Sequence, residues 1–75
     1  MALRKRSLLL DGHATSLTLE PGFWAGLEAL AARRGLSLNA MVAAIDRERT
    51  EVAGAGNLAS AVRVAVLEAT RRGEI

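Results

Sequence analysis

One histidine, no cysteine and eight carboxylates leave this chain few combinations from which to build a catalytic centre. Hydrolysis or group transfer needs a nucleophile with its base, a carboxylate pair in a pocket, or a metal. His13 directly follows Asp11-Gly12, a turn pair, so its imidazole reads as a turn or edge residue and not as a general base. With no cysteine and one histidine, disulfides and the usual zinc-ligand sets drop out together. The carboxylates are scattered among arginines, the pattern of solvated helix faces. Gly54 and Gly56 lack the following Lys-Ser/Thr of a phosphate loop and read as linker glycines. The expectation is a protein that is not an enzyme and holds no cofactor or metal.

Binding chemistry is better represented. Net charge is only +2, from ten basic and eight acidic residues, but its placement is uneven. Arg4, Lys5 and Arg6 form a cluster near the N-terminus while the rest of the chain is nearly balanced, and such a cluster suits phosphates. From Ala14 to Glu20 the polarity alternates. Thr15, Leu17 and Leu19 fall on one face, and Ala14, Ser16, Thr18 and Glu20 on the other. One face is therefore a core face and the other is free to touch a partner.

The elements that must position these residues fit one domain, 1–75. Apolar residues make up 51% of it, yet fifteen are alanine and the only aromatics are Phe23 and Trp24. A core of that kind supplies roughly 3–5 kcal/mol, and with no disulfide or metal available the remaining prop is a second copy of the chain. Asp11-Gly12 suits a tight hairpin turn. Residues 13–20 read as a strand, and 1–6 either as a basic arm or as the first strand of a hairpin. Pro21 opens a helix over 21–34, with Phe23, Leu27, Leu30 and Ala31 as its stripe and Trp24 flanking it. Ser37 caps a second helix over 37–51, and Asn57 caps a third over 58–72 after a flexible break at 53–56. The third is unusually apolar, because Val64 and Leu67 lie off its main stripe and call for a cover. The longest early apolar run, Leu8 to Leu10, is far short of a signal-peptide core, and nothing approaches the ~20 apolar residues of a membrane span. A cytoplasmic protein without a membrane partner is expected.

A strand ending in Glu20-Pro21, a helix beginning Phe23-Trp24, and Arg34-Gly35-Leu36-Ser37-Leu38-Asn39 opening the next helix resemble the ribbon-helix-helix superfamily, the class of the Arc and methionine repressors. The strings RKRS, GHATSLTLEPGFWAGL, ARRGLSLNAMVAAID and GNLASAVRVAVLE are similar to its short bacterial members with an added third helix. The likeness spans nearly the whole chain. It implies a mainly α fold with a short β-ribbon, built as an intertwined homodimer with intermolecular antiparallel strands and a C-terminal third helix. It also implies a DNA-binding transcription regulator, a repressor or autoregulator, whose ribbon enters the major groove of double-stranded DNA. Carried over, Ala14, Ser16 and Thr18 face the bases, the N–H groups of Leu38 and Asn39 with the Ser37 and Asn39 side chains hold a phosphate, and Arg4, Lys5 and Arg6 add electrostatic attraction.

Two departures from a strong DNA reader stand out. Ala14 offers no donor, and Ser16 and Thr18 are short and undiscriminating beside the long donors that usually contact base edges. Glu20 would repel phosphates, so it belongs to the start of the helix and not to the groove. The alternative is a dimeric protein-interaction module, antitoxin-like or adaptor, that uses the apolar third helix.

Overall fold

A computed structural model describes residues 2–52, 54 and 56–75. Its elements run β1 (Arg4–Leu10), β2 (His13–Leu19), α1 (Pro21–Arg33), α2 (Leu38–Glu51) and α3 (Leu58–Arg71). The break expected at 53–56 is visible at Gly54 and Gly56, while Ala53 and Ala55 lie outside the described residues, as does Met1 of the expected 1–6 segment.

Asp11 and Gly12 form the hairpin turn with φ of 49° and 84°. Both values are left-handed, as a two-residue turn between right-twisted strands requires, and glycine meets the demand without a Cβ clash. The strands pair antiparallel. Arg4, Arg6, Leu8 and Leu10 stand opposite Leu19, Leu17, Thr15 and His13 on the helix side, and Lys5, Ser7 and Leu9 stand opposite Thr18, Ser16 and Ala14 on the outer side.

Residues 4–10 are thus a strand and not an arm, for two reasons. Leu8 and Leu10 sink into the core, and the Trp24 indole N–H donates to the Arg4 carbonyl at 2.9 Å. The ribbon-helix-helix resemblance implies strands paired between two chains. Within one chain, β2 pairs with its own β1, and its second edge stays open.

The core lies between the helix side of the ribbon and the three helices. Leu17, Leu19, Leu27, Leu30, Met41 and Val62 are almost completely buried, each worth about 1.5–3 kcal/mol relative to exposure. In α1 the buried positions are Trp24, Leu27, Leu30 and Ala31. Trp24 is a core residue and Phe23 only half-buried, the reverse of the expected weighting. The cause is the acceptor on β1, which lets the indole go inside with its N–H satisfied.

Helix ends follow local chemistry. Arg34, Gly35 and Leu36 close α1 with paired backbone bonds, Leu36 N–H to the Ala31 carbonyl and Gly35 N–H to the Ala32 carbonyl, which satisfy carbonyls the helix leaves open. Ser37 Oγ accepts from the Ala40 N–H at 3.1 Å, and Asn57 Oδ1 accepts from the Ser60 N–H at 2.8 Å. Past α3 the same closure at Gly73 turns the chain back so that Glu74 accepts from Arg34 at 2.8 Å and from Arg72 at 2.8 Å. The two guanidiniums hold the Glu74 carboxyl down at about 2. Helices α1 and α3 approach so closely at Gly26 that a Cβ there would stand 2.5 Å from Val66 Cγ1.

Leu67 and Val64 on α3 remain about half exposed, so the cover that the sequence called for does not come from this chain's described residues. Among those residues no helix is long and apolar enough to cross a membrane.

Candidate nucleic-acid interface

Strand alternation makes the outer side of the ribbon one surface of six residues: Lys5, Ser7 and Leu9 from β1, and Ala14, Ser16 and Thr18 from β2. All are exposed except Thr18, which is half-buried. Among the described residues none of these side chains makes a hydrogen bond or ion pair. Ala14, Ser16 and Thr18 therefore share one face, as the alternation in β2 predicts. Ser7 and Leu9 join them and were missed by the sequence reading, since they become visible only once β1 is a strand in register with β2.

The strand divides the basic cluster between its two faces. The two-residue period of a strand sends Lys5 outward and turns Arg4 and Arg6 to the helix side. Arg6 Nη1 donates to Glu28 Oε1 at 2.8 Å, and its guanidinium stands 4.8 Å from the Trp24 ring centroid, a cation–π distance. Arg6 is committed to docking the ribbon on α1, and Arg4 supplies its carbonyl to the same joint. The three basic residues are thus divided between the two faces of the hairpin, with Lys5 on the outer one, and all three are exposed.

Glu20 is placed as its charge demands. It precedes α1 with extended backbone, and its carbonyl accepts from the Phe23 and Trp24 N–H groups. Its carboxylate accepts from Arg63 Nε of α3 at 2.9 Å, and that guanidinium holds the Glu20 carboxyl below the usual carboxylate range. The Arg63 guanidinium also lies 5.9 Å from the Phe23 ring. The acid is thereby withdrawn from the outer face.

At the start of α2, Ser37 spends its hydroxyl on its own helix as the cap. The N–H groups of Leu38 and Asn39 and the Asn39 side chain have no partner among the described residues. With the helix dipole behind them they are free to bind an anion. Among the described residues no hydrogen bond or ion pair joins Ser37, Leu38 or Asn39 to the outer ribbon face.

A groove of about 540 Å³ runs between α2 and α3, with Met41, Ile45, Ala61 and Ala65 along it, Val52 and Val64 exposed beside it, and Arg34, Glu48, Glu68 and Arg72 among its charges. No group of acidic or histidine side chains among the described residues is arranged to hold a metal ion.

The order of a ribbon followed by helices agrees with the family comparison. The ribbon-helix-helix domain matches residues 3–70. The chain belongs to that family. Ribbon-helix-helix proteins are in general DNA-binding transcription regulators. No curated protein sequence matches the chain. Among solved structures, an uncharacterized protein from Bordetella pertussis Tohama I is similar at 35% identity with a TM-score of 0.76. The similarity covers 99% of this chain and 62% of that one, so this ribbon-helix-helix chain spans less than two thirds of its structural relative.

Proposed function

We propose that the protein is a homodimeric regulator that binds double-stranded DNA without catalysing a reaction, a repressor or autoregulator of transcription whose ribbon presents its outer face to the major groove. The observation that carries this reading is the outer face itself: side chains, all but Thr18 exposed, with no partner among the described residues, on a β-ribbon of the family, with its acid withdrawn onto Arg63. The major groove admits a two-stranded β-ribbon, and hydroxyls such as those of Ser7, Ser16 and Thr18 reach either donors or acceptors on base edges. Specificity from such short groups is modest. Lys5 and the free N–H groups of Leu38 and Asn39 supply phosphate contacts, which position the protein without reading sequence.

Selection of bound duplexes from a random pool at two salt concentrations, with the dimer mass measured alongside, tests this reading. Recovery of a recurrent duplex motif, bound more weakly at the higher salt, is the expected result. No enrichment at either salt would overturn it.

The α2/α3 groove favours a second reading, a protein-interaction module. The exposed Val52, Val64 and Leu67 belong to α2's end and to α3, away from the outer ribbon face. A failed duplex selection moves this reading ahead.

A further inference from the structure

The groove between α2 and α3 has an open apolar floor and charges that are unevenly spent. The connection from Val52 to Asn57 is short, so the two helices run as antiparallel neighbours. Met41, Ile45 and Val52 share one stripe of α2, and Ala61, Val64 and Ala65 share one stripe of α3. Met41 and Ile45 are buried, the two alanines are half-buried, and Val52 and Val64 stand exposed at the rims. Leu67, one turn beyond Val64, is exposed as well. From Met41 to Val52 the groove runs for about 17 Å, about three helical turns. Alanine along it lets a further helix come close, since the side chains at the contact set the distance between helix axes.

The three arginines of the groove are committed within the chain. Arg34 donates to Glu74 at 2.8 and 3.0 Å, and Arg72 donates to the same carboxylate at 2.8 Å. Arg49 donates to Asp46 at 3.1 and 2.7 Å. Glu48 and Glu68 are exposed and make no hydrogen bond or ion pair among the described residues. Glu48 feels the Arg34 cation, but the bonds of that cation go to Glu74. The charge left for a partner is therefore negative, one carboxylate from each wall.

Resting on the protein-interaction reading of this groove, and independent of the DNA reading, we propose that it docks an amphipathic helix of a partner protein. That helix is about three turns long and carries an apolar stripe flanked by lysine or arginine. Its apolar anchors cover Val52, Val64 and Leu67, and its cations meet Glu48 and Glu68. A second copy of the chain fits less well. Two grooves laid face to face are both concave, leave both floors uncovered and bring the free carboxylates of the two copies together. The helix that comes nearest to the required chemistry, α3 with Leu67 and Arg71 on its outer side, is itself a wall of the groove.

A display library of random helical peptides about four turns long, selected on the full chain, tests the groove. It should enrich peptides with an apolar stripe and flanking Lys or Arg. A synthetic copy of the enriched peptide, titrated by fluorescence anisotropy, then serves as the probe. Glu48→Lys and Glu68→Lys, both at exposed positions, should melt near the parent and weaken that peptide by about threefold or more each. Val64→Arg should weaken it too, and selection on the doubly reversed chain should turn to peptides carrying Asp or Glu. No enrichment, enrichment of acidic or uncharged peptides by the parent, or binding indifferent to all three substitutions would overturn the proposal. A Val64→Arg chain of lower mass than the parent would also overturn it, by assigning the groove to a second copy. Basic peptides enriched by a chain that enriches no duplex uphold the groove and sink only the DNA reading; duplexes enriched without peptides do the reverse.

Discussion

Replacing Gly26 by alanine sets two effects of opposite sign against each other. In the interior of α1, alanine is favoured over glycine by about 1 kcal/mol from backbone propensity alone. The added Cβ, however, would stand 2.5 Å from Val66 Cγ1, where carbon pairs prefer about 3.5–4.0 Å. Val66 is buried on α3 and β-branched, with one strongly preferred rotamer in a helix, so it cannot swing aside. The helices must separate instead, and overpacking of this kind costs about 1–3 kcal/mol. The packing cost outweighs the propensity gain, leaving a net loss of up to about 2 kcal/mol. A domain of this size loses about 4–8 °C in Tm per kcal/mol. Thermal melts followed by circular dichroism, at one fixed protein concentration because association shifts Tm, should show the drop. Val66→Ala, destabilising by itself, should partly rescue Gly26→Ala, with a coupling above about 0.5 kcal/mol. A stabilised Gly26→Ala protein with no coupling to Val66 would refute the close approach of α1 and α3.

Four further outcomes follow from the geometry. Thr18→Arg should keep the fold and raise duplex affinity or create a preference for guanine, whereas Leu17→Arg should unfold the chain by placing an unpaired charge in the core; chemical denaturation and duplex titration separate the two. Lys5→Ala should flatten the dependence of log affinity on log salt by about 0.9 per lost phosphate contact, while Arg6→Ala should leave that slope unchanged and lower the melting temperature through lost packing on Trp24 and Glu28. Ser37→Ala should cost about 1 kcal/mol as a lost cap, and Asn39→Asp should melt like the parent but weaken duplex binding, as titration would show. The Glu74 carboxyl, held at about 2 against an ordinary 4.5, contributes stability that is complete above the ordinary value and is lost as pH falls toward 2; Glu74→Gln should melt at a temperature that varies less with pH across that window.

The helices were the most legible part of the sequence because their signals are redundant. Pro21, the Arg34-Gly35 stop, the Ser37 and Asn57 caps and the 3.6-residue stripes all point to nearly the same boundaries, and the observed ends fall within a residue of them. The first strand was harder to read. Arg4 to Ser7 offers no apolar residue on either face, so only Leu8 and Leu10 mark a period, too few to separate a strand from an arm. What fixes β1 is its docking on Trp24 and Glu28, about twenty residues along the chain, which no local pattern contains. The same ignorance spread to the site. Without β1 in register, Arg4, Lys5 and Arg6 looked like one cluster, and Ser7 and Leu9 were not candidates at all. Glu20, by contrast, could be assigned to the helix start from charge alone, although Arg63, its partner in α3, could not be foreseen.

Trp24 is the only tryptophan in the chain, and its surroundings make it a natural optical probe. The ring is enclosed on the α1 side and closed off by β1, through the bond to the Arg4 carbonyl and the Arg6 guanidinium over its face. Its fluorescence therefore reports whether the ribbon is seated on the helices, a different event from loss of the helices themselves. A chain whose β1 peels away while α1, α2 and α3 persist would shift its emission to the red with its far-ultraviolet dichroism nearly intact. Any load placed on the ribbon, whether a duplex or a second strand, can thus be followed without a label at the joint where ribbon and helices meet.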